Sequence, residues 1–180
     1  MSAETPPTAW RNRITRHADV PPSDLVAHPL NVRRHGRMQA DALSGVLSEV
    51  GVVQSVIVNE RTGLILDGHL RAELAVAKAE PTVPVVYVDL DESEERLILA
   101  TFDPLGALAD TDGAALRELL GVVTTHDDAV RRVVQFIAEQ HGLTLPPEVA
   151  PPEEFREFGE DIETEHHCPK CGYEWSGTTS

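Results

Sequence analysis

A short apolar strand, a glycine and the start of a helix follow one another directly in the segment 64–74, LILDGHLRAEL. The strand ends on Asp67, Gly68 turns the chain, and a helix begins at once. Free backbone N–H groups and the helix dipole make such a helix N-terminus a natural anion site. Arg71, one turn into the helix, could bind a phosphate through a bidentate pair of hydrogen bonds. A second interpretation stays open, in which Asp67 only caps the helix and Arg71 is solvated.

Length and composition favour one domain with a small appendage. The chain has 180 residues, and its hydrophobic fraction of 41% can fill a core, mainly with aliphatic side chains because aromatics make up 4%. No apolar run approaches the roughly 18 residues that a membrane span needs. The N-terminal residues lack a basic start followed by an apolar stretch, so a secretory signal is not expected. The sequence therefore predicts a cytoplasmic protein with no membrane partner.

The formal net charge of -15 argues against a protein that coats a nucleic-acid backbone. The charge is unevenly placed, however. Residues 1–37 hold six arginines against three acids, whereas the segment 148–165 holds eight acids and one arginine. Contact with DNA is therefore weakened as a hypothesis and stays open.

Hydrophobic periodicity predicts a mixed α/β chain. In the segment 38–50, apolar residues recur at i, i+3, i+4 and i+7, as in an amphipathic helix, and Gly51 follows as a C-cap. The β-branched run 52–58 predicts a strand, which a loop at 59–63 joins to a hairpin partner at 64–66. The other predicted elements are a strand at 14–20, a helix at 69–79, a strand buried on both faces at 83–90, a helix from 91 to about 104, and helices at 112–123 and 127–141.

Composition divides the chain into five segments. The N-terminal residues are rich in Pro, Thr and Ala, and a later stretch combines four prolines with many acids, so neither is expected to fold by itself. The predicted segments are a disordered arm at 1–12, an α/β domain at 13–110, a helical extension at 111–142, an acidic Pro-rich linker at 143–165 and a small Cys/His tail at 166–180.

Three sequence boxes follow one another at 28–33 (HPLNVR), 42–58 (ALSGVLSEVGVVQSVIV) and 67–71 (DGHLR). In this order they resemble the N-terminal domain of the ParB/sulfiredoxin superfamily, over about residues 20–110. The first box is similar to a loop that supplies an arginine to the family's site, and the second to the family's helix and strand. The third stands where chromosome-partitioning members have Gly-Glu-Arg-Arg and sulfiredoxins have Gly-Cys-His-Arg. Its Gly-His-x-Arg form is similar to short phage and prophage members often described as ParB-like nucleases.

The resemblance implies the fold, and departures from it argue against two activities. It implies a ParB/sulfiredoxin-like α/β (mixed α+β) domain, with a small mixed sheet and flanking helices. Sulfiredoxin chemistry needs a cysteine directly after the glycine, but that position is His69, so this activity is not expected. The helices at 112–141 show no helix-turn-helix pattern, so a DNA clamp like that of the partitioning proteins is not expected either.

The resemblance also implies that this turn holds nucleotide phosphates. Gly68 would let a phosphate approach the backbone, and Arg33 and Arg71 would converge on its charge. Asp67 would bind a hydroxyl or a nucleotide-bound Mg²⁺, or act as a base if a phosphoryl group is transferred. His69 would be a phosphate ligand or a proton shuttle, against the alternative of a partly exposed histidine without a role.

The tail 166–175, HHCPKCGYEW, contains the Cys-x-x-Cys-Gly turn of a zinc ribbon. Cys168 and Cys171 at this spacing can bind one zinc ion. A structural zinc site takes four ligands, which His166 or His167 could complete, or which a second chain could supply from its own cysteine pair. A redox dithiol and a tail without a role remain alternatives.

These observations favour a phage- or prophage-type ParB-like protein that binds a nucleoside di- or triphosphate with Mg²⁺, as an accessory or regulatory factor in DNA metabolism. The expected partners are the nucleotide, DNA or a DNA-modifying or packaging protein, and a second copy in a homodimer, within a bacterial or phage-infected cell. The alternatives are a nucleotide-dependent enzyme (an NTPase, a small-molecule kinase or a nuclease) and a protein adaptor without a ligand.

Overall fold

The computed structural model describes residues 10–145 and 166–175, and the chain divides into two compact units, residues 1–145 and 146–180. In the first unit the elements are β1 (Ile14–Val20), a 3-10 turn (Pro22–Asp24), α1 (Arg37–Glu49), β2 (Val56–Asn59), β3 (Ile65–Asp67), α2 (His69–Ala77), β4 (Val83–Val88), α3 (Glu92–Ala107), α4 (Gly113–Val122) and α5 (Asp128–Gln140). In the second unit they are β5 (His166–His167) and β6 (Glu174–Trp175). Within the described ranges, every helix is too short or too polar to cross a membrane.

The first unit is built on a mixed sheet of four strands in the order β1-β4-β2-β3. Strands β2 and β4 are parallel, and the two outer pairs are antiparallel. The hairpin β2–β3 leads into α2, which crosses back so that β4 can lie beside β2. The core lies between this sheet and α2, and its buried members are Val56, Val58, Ile65, Ala72, Ala75, Val83 and Val85. The predicted mixed α+β fold with a small mixed sheet is therefore confirmed.

Two predicted strands differ from the structure. The β-branched run from residue 52 pairs only from Val56 onward, because Val52 and Val53 are exposed and have no strand beside them. In β4, Val83 and Val85 are buried whereas the alternate residues are only half-buried, so the expected burial on both faces is wrong. Successive side chains of a strand point to opposite faces, and the α2 side of this sheet is the better covered one.

Helix α3 also continues beyond its predicted end, through Pro104 to Ala107. A proline fixes a φ angle that a helix tolerates and removes one backbone donor, so the helix can pass it by giving up one hydrogen bond. The start of α3 is firmly set by a capping box, in which Asp91 accepts from the Glu94 backbone N–H and Glu94 accepts from that of Asp91.

The helical extension attaches to the sheet domain through α1. Glu49, at the end of α1, accepts hydrogen bonds from the Thr125 hydroxyl (2.8 Å) and from the backbone N–H groups of His126 (2.7 Å) and Asp127 (2.8 Å). Asp127 in turn caps α5 through the N–H groups of its first turn. Helices α4 and α5 form a second apolar cluster of their own around Leu120, Ala138 and Leu143.

At Gly45, α1 lies close against the start of α5. A Cβ added there would lie 2.5 Å from Asp127 Cγ and 2.7 Å from Val130 Cγ2. We therefore expect Gly45→Ala to lower the free energy of unfolding by about 1–3 kcal/mol, because the side chain would overpack this contact. Urea unfolding monitored by circular dichroism measures the change.

The matched control is Gly121→Ala in α4, another helical glycine, where an added Cβ would meet nothing within 4 Å. That substitution should raise stability by about 0.5–1 kcal/mol, since alanine favours a helix over glycine. Equal unfolding midpoints for the two variants would contradict the close α1–α5 approach.

Candidate functional site

Gly68 forms the turn between β3 and α2 with φ of 92° and ψ of 19°, in the left-handed region. A Cβ at this position would lie 3.2 Å from the Val56 Cα and 3.1 Å from the Arg71 Nη2. The position therefore requires glycine for its backbone angle and for the close approach of β2. Gly68 itself is the N-cap of α2, and no side chain caps the helix. The interpretation of Asp67 as the helix cap is therefore wrong.

Arg71 lies against this turn and is held there by side-chain and backbone contacts. Its Nη2 donates to the Asp67 carboxylate (2.8 Å) and to the Ser55 carbonyl (3.4 Å), and its Nη1 donates to Gln54 Oε1 (3.1 Å). Only 16% of the side chain is exposed, so the interpretation of Arg71 as a solvated residue is wrong. Its Nε is buried and makes no hydrogen bond.

A cavity of about 290 Å³ opens at the N-terminus of α2 and brings the sequence-predicted binding residues together. Arg33, Asp67, Gly68, His69 and Arg71 all line it. The loop of the first box also contributes Asn31, whose Oδ1 accepts from the Arg33 backbone N–H (3.0 Å) and so orders the loop at Arg33. Two arginines therefore face one cavity from different elements, as the sequence predicts. The remaining wall is largely apolar and includes Leu30, Val32, Leu99 and Phe102.

His69 is 6% exposed, so the alternative of a partly exposed histidine is wrong. Its Nε2 accepts a hydrogen bond from the backbone N–H of His28 (3.2 Å), which ties the first box to the start of α2. Burial lowers the pKa of His69 below its ordinary value of 6.5, although the charges of Asp67 and Glu73 oppose the shift. His69 is therefore neutral near pH 7, and the hydrogen bond at Nε2 places its proton on Nδ1.

A buried hydrogen-bond network supports this site, and its centre is a residue that no sequence motif marks. Glu95 of α3 is 5% exposed. Its Oε1 accepts from His28 Nε2 (2.8 Å), and its Oε2 accepts from the Thr62 hydroxyl (2.9 Å) and from the amide of Asn59, which is fully buried. Burial raises the pKa of Glu95, but these donors outweigh it and the net pKa is lowered.

Glu95 also determines where the apolar wall of the cavity lies. Glu95, Leu99 and Phe102 are spaced i, i+4 and i+7 along α3 and therefore share one face of the helix. The network holds that face against the β2–β3 hairpin and the first box, so Leu99 and Phe102 project over the cavity. The spacing within α3 is visible in the sequence, but the four acids at 91–95 give no sign of which one turns inward.

Groups of three or more His, Cys, Asp or Glu side chains that could hold a metal are absent from residues 10–145 and 166–175. In the tail, His166 and His167 are neighbours in β5 and so point to opposite faces. The His166 ring packs against Trp175 at 5.5 Å between centroids. Neither histidine completes a four-ligand site with Cys168 and Cys171 inside the described tail.

Comparison with solved structures places this architecture among known folds. The C-terminally truncated chromosome-partitioning protein ParB of Caulobacter crescentus, complexed with CTP-gamma-S, superposes with a TM-score of 0.50 at 23% identity, over 72% of this chain and 73% of that one. The chain has the ParB/sulfiredoxin fold. The fold implied by the three boxes is therefore confirmed.

Other solved proteins with the ParB/sulfiredoxin fold are more distant. A Pnob8-like ParB-N domain is 17% identical with a TM-score of 0.43, over 73% of this chain and 52% of that one. Sulfiredoxin from Arabidopsis thaliana is 16% identical with a TM-score of 0.40, over 47% of this chain and 98% of that one. No protein-family model and no curated protein matches the sequence.

Proposed function

We propose that this protein binds a nucleoside di- or triphosphate in the cavity at the Gly68 turn and acts as an accessory or regulatory factor in DNA metabolism, of the ParB-like type found in phages and prophages. The observation that carries the proposal is the meeting of Arg33, Arg71 and an uncapped helix N-terminus in one cavity. The ParB protein of the same fold is complexed with a CTP analogue, which supports a nucleotide as the ligand.

The phosphates fit the end of the cavity formed by the turn. No side chain caps α2, so the first backbone N–H groups of the helix are left for an anion, and Gly68 has no side chain to block it. Arg71 and Arg33 add positive charge from two sides. Arg71 is already held in position by Asp67 and Gln54, so little side-chain entropy is lost when a phosphate binds.

The Asp67 carboxylate fits a Mg²⁺ ion that arrives with the nucleotide. Mg²⁺ at phosphates is typically held by one or two carboxylates, with phosphate oxygens and water filling the other positions. Bound there, the ion would neutralise the phosphate charge that otherwise faces Asp67. On this proposal Asp67, which accepts from Arg71 and Gln54 in the free protein, also binds the metal, while Arg71 keeps its position beside the phosphates.

The base fits the apolar wall formed by α3. Phe102 is 53% exposed and lies on the cavity side with Leu99, so an aromatic ring is available for a base to stack on. The cavity of about 290 Å³ is at the lower end of the size range of small-molecule sites, which begins at about 300 Å³. His69, neutral and bonded to the backbone of His28, holds the two halves of the site together.

Arg71→Ala is expected to weaken nucleotide binding at least ~10-fold, because a charge-assisted contact to phosphate is worth about 1.5–3 kcal/mol. Isothermal titration with ATP, ADP, CTP and GTP in the presence of Mg²⁺ measures the loss and identifies the base. Arg33→Ala, at an exposed position of the loop, should also weaken binding. Release of phosphate in the same samples would identify turnover.

Arg96→Ala is the control, because Arg96 is an exposed arginine that pairs with Glu92 and does not line the cavity. It should bind nucleotide like the unaltered protein. Equal binding by the Arg71, Arg33 and Arg96 variants would show that the ligand does not bind at the turn, and no binding of any nucleotide would refute the proposal.

A further inference from the structure

The Cys-x-x-Cys turn of the tail is held by its own backbone. The Cys168 N–H donates to the Tyr173 carbonyl (2.8 Å), and the Gly172 N–H donates to the Cys168 carbonyl (2.9 Å). Gly172 has φ of 76°, a left-handed angle that favours glycine. Strands β5 and β6 close the hairpin on either side. The turn therefore has a defined conformation that brings two thiols to the same loop.

The two thiols face each other, and backbone donors surround one of them. The Cys168 sulfur accepts from the backbone N–H groups of Lys170 and Cys171 and contacts the Cys171 thiol. The turn therefore presents two sulfurs together, with backbone N–H donors directed at one of them.

Inside residues 166–175, little besides the hairpin itself stabilises this turn. A single two-stranded hairpin is at best marginally stable in water. Within the described tail, the aromatic contacts are those of Trp175 with His166 and with Tyr173. Three rings on one small hairpin do not make an apolar core.

The described tail supplies two of the four ligands that a structural zinc ion takes. The sequence has two cysteines, both in this turn. His166 packs on Trp175, His167 lies on the opposite face of β5, and no third metal-ligating side chain joins the cysteines in the described tail. A two-fold axis through the metal would bring an identical pair from a second copy and complete four thiolates.

We propose that Cys168 and Cys171 form one half of a zinc site, and that a second copy of this chain supplies the other half. The zinc ion links the two tails, so the protein is a dimer held through its C-terminal units. This inference uses residues 166–175 alone and does not depend on the proposed nucleotide site.

Metal stoichiometry tests the proposal on the full chain. Protein purified without chelator should contain one zinc ion for every two chains, and titration of the metal-free protein with Co²⁺ should saturate at the same ratio. The cobalt spectrum should show intense thiolate charge transfer and the visible bands of a tetrahedral ion. Light scattering should report a dimer when the metal is bound.

Cys168→Ser and Cys171→Ser should each abolish stoichiometric zinc binding and the metal-dependent dimer, while leaving nucleotide binding unchanged. Lys170→Ala, in the same turn but without a ligand side chain, should retain both properties. One metal ion per monomeric chain would overturn the proposal, and so would zinc content that survives both cysteine substitutions. Metal-free protein that does not take up Zn²⁺ or Co²⁺, including one with a Cys168–Cys171 disulfide, would overturn it too.

Discussion

Glu95→Ala is expected to lower the free energy of unfolding by about 3 kcal/mol or more. The carboxylate is the acceptor for His28, Asn59 and Thr62, and alanine would leave buried donors without partners, at about 1–3 kcal/mol for each buried group. Urea unfolding followed by circular dichroism gives this change from the midpoint and slope. Because the same network holds α3 over the cavity, nucleotide affinity should fall as well.

Two further variants distinguish the loss of this network from the general effect of removing an acidic side chain. Glu92 lies one turn earlier in α3, is exposed and pairs with Arg96, so Glu92→Ala should leave the unfolding midpoint nearly unchanged. Glu95→Gln keeps one acceptor oxygen and should therefore lose less stability than Glu95→Ala. A Glu95→Ala protein as stable as Glu92→Ala would show that the buried network does not hold α3.

Gly68→Ala is the second substitution with a large expected effect. Alanine in a left-handed conformation costs about 1–2 kcal/mol, and its Cβ would also press on the backbone of Val56 at 3.2 Å. We expect a total loss of about 3 kcal/mol in unfolding free energy. Nucleotide binding should weaken even where the protein stays folded, because the added Cβ would lie 3.1 Å from Arg71 Nη2 and displace this phosphate-binding group.

Gly51→Ala is the matched control for the backbone angle. Gly51 has the same φ of 92°, but an added Cβ there would meet nothing within 4 Å. It should therefore cost about 1–2 kcal/mol from the angle alone and leave nucleotide binding intact. Similar losses of stability in the two variants would mean that the close contact with Val56 contributes nothing.

Most of the secondary structure could be predicted from the sequence because its signals are local. Helix α1 occupies 37–49 where the apolar spacing predicts 38–50, and β1 has the predicted bounds. The start of β2 could not be predicted, since Val52 and Val53 have strand-like side chains but no neighbouring strand to pair with. Which face of β4 would be covered likewise depends on where α2 packs, and this is set by the tertiary structure.

The candidate site likewise has features that the sequence predicts and features that depend on the tertiary structure. That Gly68, Arg33 and Arg71 line one cavity could be predicted, because the three boxes resemble those of a family in which these positions share a site. The role of Asn59 could not, because a polar residue opening a hairpin loop is expected in solvent, whereas this one is fully buried. It donates to the Leu90 carbonyl and to Glu95, partners that lie more than thirty positions later in the chain.

The strand order has a consequence for the way the chain is made. Strand β1 leaves the ribosome first, yet the strand it pairs with is β4, which is synthesised only after β2, β3 and α2. An unpaired strand can join its counterpart in another nascent chain. Three residues of β1, Thr15, Arg16 and His17, are polar or charged and exposed, which disfavours pairing with another chain before β4 is synthesised. The sheet can therefore be completed during synthesis only after β4 has emerged. Slow translation before residue 83 would prolong the time in which the unpaired β1 can aggregate with another chain.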